Sequence, residues 1–421
     1  MVDKGDFAPP LAVVDARLDG ERVGLRCEEG VIAALGPEVR PQPGDETLEA
    51  GGAALLPPLV NGHTHAAMTL FRGSGGDLPL MPWLEQRIWP VEARLEPEDV
   101  YWGARLACAE MIRTGTTRFW DMYWHPAETA RAVLDAGLRA TIGAPLIDRD
   151  GDGGTMREAA LRSLEELAQF GPSISPALAP HAIYTVGEES LRWIAELSAE
   201  REVAVQIHLS ETEQEVQDCI AEHGVRPAAY LDRLGLLTPR TVLAHGVWLD
   251  PSELALIAER GATVVTNPAA NLKLAVGGVF PHPAARAAGV AVGLGTDGAG
   301  SNDSLDLLAD LKLFALLQKH AAGDPTAIAA AEAWRVATGG CAPLLGAQAL
   351  EPGAPADFLL LRAAAPELAI GDLTSDLVYA ASGSVVETTV VGGRVLMRGG
   401  EVPRLEEIIG RARERALRLG L

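Results

Sequence analysis

A chain of 421 residues with 48% hydrophobic and 22% charged residues can bury one large core and a smaller appendage, which argues against a disordered protein. Its formal charge of -22 argues against a nucleic-acid partner, whose recognition draws on a basic patch, and is otherwise ordinary acidic solubility. Four scattered cysteines without a CxxC pair exclude a disulfide scaffold and a thiolate zinc site, and with no leader pattern and no apolar run of about 18 residues a soluble, cytoplasmic, membrane-free protein is expected.

Residues 10–50 read as short strands broken by Gly, Asp and Pro turns. From residue 53 onward, apolar runs alternate with longer amphipathic segments, the pattern of parallel strands joined by crossover helices. Strands are predicted over 53–60, 116–122, 140–147, 174–179, 203–209, 241–244, 263–266 and 290–295. Helices are predicted over 97–114, 157–170, 188–199, 211–222 and 251–260, the last announced by Asp250-Pro251-Ser252-Glu253, an Asp cap followed by Pro and an acidic first turn. Residues 356–400 return to short strands, and 404–419 has the pattern of a charged amphipathic helix, a surface or interface element.

Eight strands close a (β/α)8 barrel. The expected fold is therefore α/β: a TIM-like barrel over 57–350, with a small β-sandwich formed by the N- and C-terminal segments 1–56 and 351–421, the latter adding the final helix.

Asn61-Gly62-His63-Thr64-His65 stands where the first barrel strand opens into a loop. Histidines at i and i+2 on extended backbone face the same way, so both can reach one metal ion. His181, His208, His245 and Asp297 also stand at the ends of strand-like runs, and strand C-terminal ends of a barrel converge on one face. His63, His65 and His208 with Asp297 make a donor set suited to Zn2+ or Fe2+. Some binuclear barrel hydrolases add a carboxylated lysine, but no lysine lies between Gly5 and Leu272, so one ion per subunit is expected.

Glu211, three residues beyond His208, can stand beside a coordinated water whose pKa falls from about 15.7 toward about 7, and shuttle its proton. Its plainer use is to serve a helix N-terminus. His245 is either a fifth ligand or, the favoured role, a group that holds the attacking oxygen, with a structural buried histidine as the bland alternative. His125, His223, His282 and His320 lack the strand-end position and are expected to be surface or structural.

With Asn61-Gly62-His63-Thr64-His65, His208-Leu209-Ser210-Glu211, Asn267-Pro268, Asn271-Leu272-Lys273 and Gly295-Thr296-Asp297-Gly298 in this order, the chain resembles the amidohydrolase superfamily. More narrowly it resembles the 5-methylthioadenosine/S-adenosylhomocysteine deaminases along nearly its whole length. The resemblance implies a mononuclear metal on His63, His65, His208 and Asp297, Glu211 protonating the purine N1, and His245 and Asp297 handling the attacking hydroxide. It implies ribose binding by Glu92, in Trp89-Pro90-Val91-Glu92, and substrate contacts from Trp83 and His181. Glu92, Glu96 and Glu98 otherwise read as an exposed acidic run before the helix near Pro97.

One departure lies between Gly143 and Arg157. Ala144 stands where such relatives place an arginine for the homocysteine carboxylate, and Arg149 and Arg157 are the nearest substitutes.

The expected activity is metal-dependent hydrolytic deamination of an adenine nucleoside (5-methylthioadenosine, adenosine or S-adenosylhomocysteine) to its hypoxanthine nucleoside plus ammonia. The same ligands would also serve a deaminase of guanine, 8-oxoguanine, cytosine, a pterin or an s-triazine, and a catalytically silent binding barrel is a third option. A small-molecule purine nucleoside is the expected partner, within a homo-oligomer.

Overall fold

The structure, a computed structural model, describes residues 8–74, 77–149 and 151–421. Its first four strands, β1 (Leu11–Leu18), β2 (Glu21–Glu28), β3 (Val31–Gly36) and β4 (Glu46–Glu49), form a sheet in the order β3-β2-β1-β4. The expected strand over 53–60 is split. β5 (Leu55–Leu56) joins a second sheet, and β6 (Leu59–Thr64) begins the barrel after Pro57 and Pro58. Two consecutive prolines remove two ladder donors, which gives the chain its break between sheets.

The barrel strands are β6, β7 (Thr116–Met122), β8 (Arg139–Gly143), β10 (Ile174–Pro180), β11 (Ala204–Leu209), β12 (Thr241–His245), β13 (Thr263–Thr266) and β14 (Ala291–Leu294), with β9 (Pro145–Leu146) paired to the end of β10. Neighbours along this order are parallel. The 5-residue β8 stops at Gly143, where a Cβ would stand 2.7 Å from that of Ala179. The second small sheet runs β17 (Arg394–Met397), β16 (Val386–Val391), β15 (Phe358–Leu361), β5. Leu11, Leu25, Ile32, Leu55, Phe358 and Val390 from both small sheets share one buried core, so the two ends of the chain pack as the expected sandwich.

Alternation along β11 sends Val205, Ile207 and Leu209 outward into the core shared with the helices, leaving Gln206 and His208 for the barrel interior. Val60, Trp120, Val242 and Val265 fill the bottom of the barrel against Leu345, a plug that leaves the opposite end for polar groups. The helix Pro97–Thr114 begins at a reciprocal Glu96/Asp99 capping box and ends at Gly115 with φ 89°; Pro251–Arg260 repeats the device with Asp250, Glu253 and Gly261. The final helix, Leu405–Leu419, is docked within the chain: Arg418 grips the buried Asp99, and Arg94 donates to Leu419 O at 2.7 Å.

Candidate metal and substrate site

His63 lies on β6 and His65 just after it, His208 on β11 and Asp297 three residues beyond β14. His208 Nε2 is 3.2 Å from His63 Nε2 and 3.3 Å from His65 Nε2; Asp297 Oδ1 is 3.1 Å from His65 Nε2 and 3.5 Å from His63 Nε2. Donors about 2.0–2.2 Å from one tetrahedral ion stand roughly 3.3–3.6 Å apart. These four separations are close to that spacing; His63, His65 and His208 form one group able to hold a metal ion, and Asp297 forms another with His63 and His245.

Proton positions support the same fit. His65 Nδ1 donates to Met122 O at 2.6 Å and His208 Nδ1 to His181 O at 2.7 Å, which leaves both Nε2 lone pairs aimed at one point. Lone pairs that close repel one another unless a cation lies between them. Asp297 Oδ1 is buried without a hydrogen-bond donor, whereas Oδ2 accepts from Ser301 Oγ at 2.7 Å.

Burial pushes His63 down to about 4 and His208 well below its ordinary value. At His65 burial opposes ionisation too, but the Asp297 carboxylate and Met122 O outweigh it and raise the ring to about 9. A proton on His65 and a cation shared by the four donors are alternative ways to meet the Asp297 charge.

Three residues here adopt the left-handed region: Ser210 at φ 49°, His245 at φ 74° and Asp297 at φ 63°. Such backbone is costly for non-glycine residues and here redirects side chains as each strand ends. Gly295 is needed beside them, because a Cβ there would come 2.4 Å from Asn267 Oδ1 and 3.0 Å from the His63 backbone.

Glu211 is buried, and burial raises its carboxyl above the usual range. Its own N–H donates to Glu215 Oε2 at 2.9 Å, and its Oε1 is 3.9 Å from His245 Nδ1. His245 Nδ1 contacts Asn271 Oδ1 at 2.8 Å.

His65, His208, Asp297, Glu211 and His245 line a chamber of about 70 Å³ together with His181, Trp83, Glu92 and Ser301. His181 Nδ1 is engaged by Thr185 Oγ1 at 2.9 Å, and burial pushes this ring down to about 3. Glu92 accepts from Trp124 Nε1 at 3.2 Å, and burial raises its carboxyl; the exposed acidic run expected before Pro97 therefore does not include it. The segment carrying Trp83 and Glu92 contains a π-helical turn, Leu84–Ile88, of a kind common beside functional sites.

An outer basin of about 1150 Å³ adjoins the chamber, sharing Trp89, Glu92, Trp124, Pro145, Ile147 and Tyr184 with it. Ala144 and Arg149 lie on the basin wall. Arg149 is tied to Glu222 at 2.5 Å. Arg157 lines neither cavity and bonds Ser190 Oγ at 3.1 Å and Glu189 at 2.9 Å. His125 lines the basin, a position that its loop context did not suggest, while His223 stacks on Tyr230 and His282 pairs with Glu332 at 2.8 Å.

Sequence reasoning assigned no role to Asp121, Trp124, Asn271 or Ser301. Ser301 follows Asp297 by four positions and Asn271 belongs to a motif already singled out, so spacing held a signal for both. Asp121 and Trp124 carried none, because each acts on a side chain from another element.

Residues 54–396 match the amidohydrolase family model. A 5'-deoxyadenosine deaminase of Methanoregula boonei is 48% identical over 402 residues, 93% of this chain and 90% of its own. A 5-methylthioadenosine/S-adenosylhomocysteine deaminase of Moorella thermoacetica is 45% identical over 379 residues, 88% of each. Among solved structures, an adenosine deaminase from Xanthomonas campestris with bound zinc superposes with a TM-score of 0.90 at 36% identity, covering 98% of both chains.

Proposed function

The chain belongs to the amidohydrolase family, and from that premise we propose that its barrel mouth hydrolyses the 6-amino group of an adenine nucleoside, giving the hypoxanthine nucleoside and ammonia. The strongest support for a nucleoside is Glu92, a half-buried residue at the junction of a small polar chamber and a wide basin, its carboxylate held by Trp124. A purine edge suits the chamber, ribose hydroxyls suit Glu92, and a 5' substituent is left for the basin. Adenosine and 5-methylthioadenosine meet that description, and 5'-deoxyadenosine meets it with a bare methyl at the 5' carbon.

His63, His65, His208 and Asp297 would hold one divalent ion per subunit, Zn2+ or Fe2+, which when bound acidifies water and supplies the nucleophile for C6. Glu211, whose carboxyl is raised by burial, is the group that passes a proton to the ring nitrogen N1. His245, donating from Nδ1 to Asn271, keeps its other ring nitrogen as an acceptor that orients the attacking water. Trp83 and His181 pack along the ring, and Ser301 fixes which Asp297 oxygen faces the histidines. Arg149 and Arg157, both engaged elsewhere, are left out of the ribose and purine contacts. A cytoplasmic homo-oligomer acting on small molecules completes the proposal.

Ammonia release from 5'-deoxyadenosine, 5-methylthioadenosine, adenosine, S-adenosylhomocysteine, guanine and cytosine tests it. Turnover of the nucleosides, lost in Glu211→Gln while metal content stays that of the parent, is expected; reaction of free bases alone would refute it.

A further inference from the structure

We infer that Asp121 is a positioning residue for the metal site, holding the His63-Thr64-His65 turn in its ligating shape. This goes one step beyond the proposed metal ligands and depends on them.

The ladder between β6 and β7 pairs Asn61 with Phe119, then slips, then pairs Thr64 with Asp121. Gly62 and His63 thus stand opposite Trp120 alone, the two-against-one geometry of a bulge. Bulges re-aim side chains but leave the strand locally without ladder bonds. Three consecutive residues of β7 make good the loss. Thr64 Oγ1 donates toward Trp120 O at 2.8 Å and Asp121 Oδ1 at 2.9 Å, Ala66 N donates to Asp121 Oδ1 at 2.6 Å, and Met122 O takes the His65 Nδ1 proton.

Asp121 therefore grips the residues on both sides of His65. Its own backbone carbonyl accepts from Gln206 Nε2 at 2.5 Å, two residues before His208. One buried residue relates the strand that ends just before His65 to the strand that carries His208. No substrate contact explains it, since Asp121 lies on neither cavity wall.

Zinc affinity by chelator competition, and urea unfolding of the full chain with and without zinc, test the assignment in Asp121→Asn, Asp121→Ala and Thr64→Val. Asp121→Asn keeps an acceptor oxygen and should bind zinc within about 3-fold of the parent, whereas Asp121→Ala should bind about 10- to 100-fold more weakly, the usual cost of losing such support. Thr64→Val, which leaves the Ala66 contact, should fall between them. A merely structural residue would lower the metal-free and zinc-loaded midpoints together; a positioning residue shrinks the gap between them. Parental zinc affinity in folded Asp121→Ala, or in Thr64→Val should the alanine variant not fold, would overturn the inference.

Discussion

Asn61 closes the barrel against Thr296 with a side chain in place of a ladder. Its Oδ1 accepts from Thr296 N at 3.1 Å and its Nδ2 donates to Thr296 Oγ1 at 2.7 Å, across 235 positions of sequence. Asp297 N adds a bond to His63 O at 3.0 Å. First and last strands thus meet through groups adjacent to metal-site residues. Asn61→Ala would strand the buried Thr296 N–H, while the Thr296 hydroxyl keeps its bond to Asp297 O, costing about 1 to 3 kcal/mol. Urea unfolding should show that loss, and zinc binding should weaken because His63 and Asp297 lie on the two sides of the seam.

Trp124 holds the carboxylate of Glu92 through its indole N–H. Trp124→Phe removes one donor and keeps the ring, so KM for adenosine should rise roughly 3- to 10-fold, the worth of about 1 kcal/mol, with kcat little changed. Steady-state kinetics check this, and an equal fall in kcat would point to a chemical role instead.

Charge on the basin wall should sort substrates. Among the described residues Glu85 and Glu166 have no ion-pair partner, the Asp148 carboxylate accepts from Gly187 N and Ser190 Oγ, and Arg149 is met by Glu222. A 5'-thioadenosine bearing an aminoethyl group should exceed its carboxymethyl counterpart in kcat/KM by about 10-fold at low salt, narrowing as ionic strength rises. Equal rates at every salt concentration would show that the wall does not discriminate.

In the N-terminal sheet the Arg26 guanidinium holds Asp45 below the usual carboxylate range, with help from Gln42 N. A lowered folded value means that the unfolded chain takes up its proton first, so this stability is full above an ordinary carboxyl pKa of about 3.9 and fades as pH falls through the folded value. Urea midpoints of the parent and Asp45→Asn should differ at pH 6 and converge in acid, where pH 6 is about two units above that ordinary value.

Much of the fold and of the candidate site was legible because its signals are local. Helix 97–114 carried its own cap and stop, β7 matched its apolar run, and the strand-end histidines and Asp297 declared themselves by position. The first barrel strand was misplaced, since 53–60 is apolar throughout and two strands of different sheets share that run across Pro57 and Pro58.

Sequence alone determined the alternation of elements and marked the candidate donors and the acid near His208, in short motifs that lie far apart along the chain. Only the tertiary structure decided that His63 and His65 each stand 3.1–3.5 Å from both His208 and Asp297, that backbone carbonyls fix the His65 and His208 protons, that Asn61 seals the seam, and that Glu92 stands between chamber and basin. Those relations depend on the curvature that closes eight strands and on left-handed backbone at Ser210, His245 and Asp297, residue types whose ordinary preference lies elsewhere.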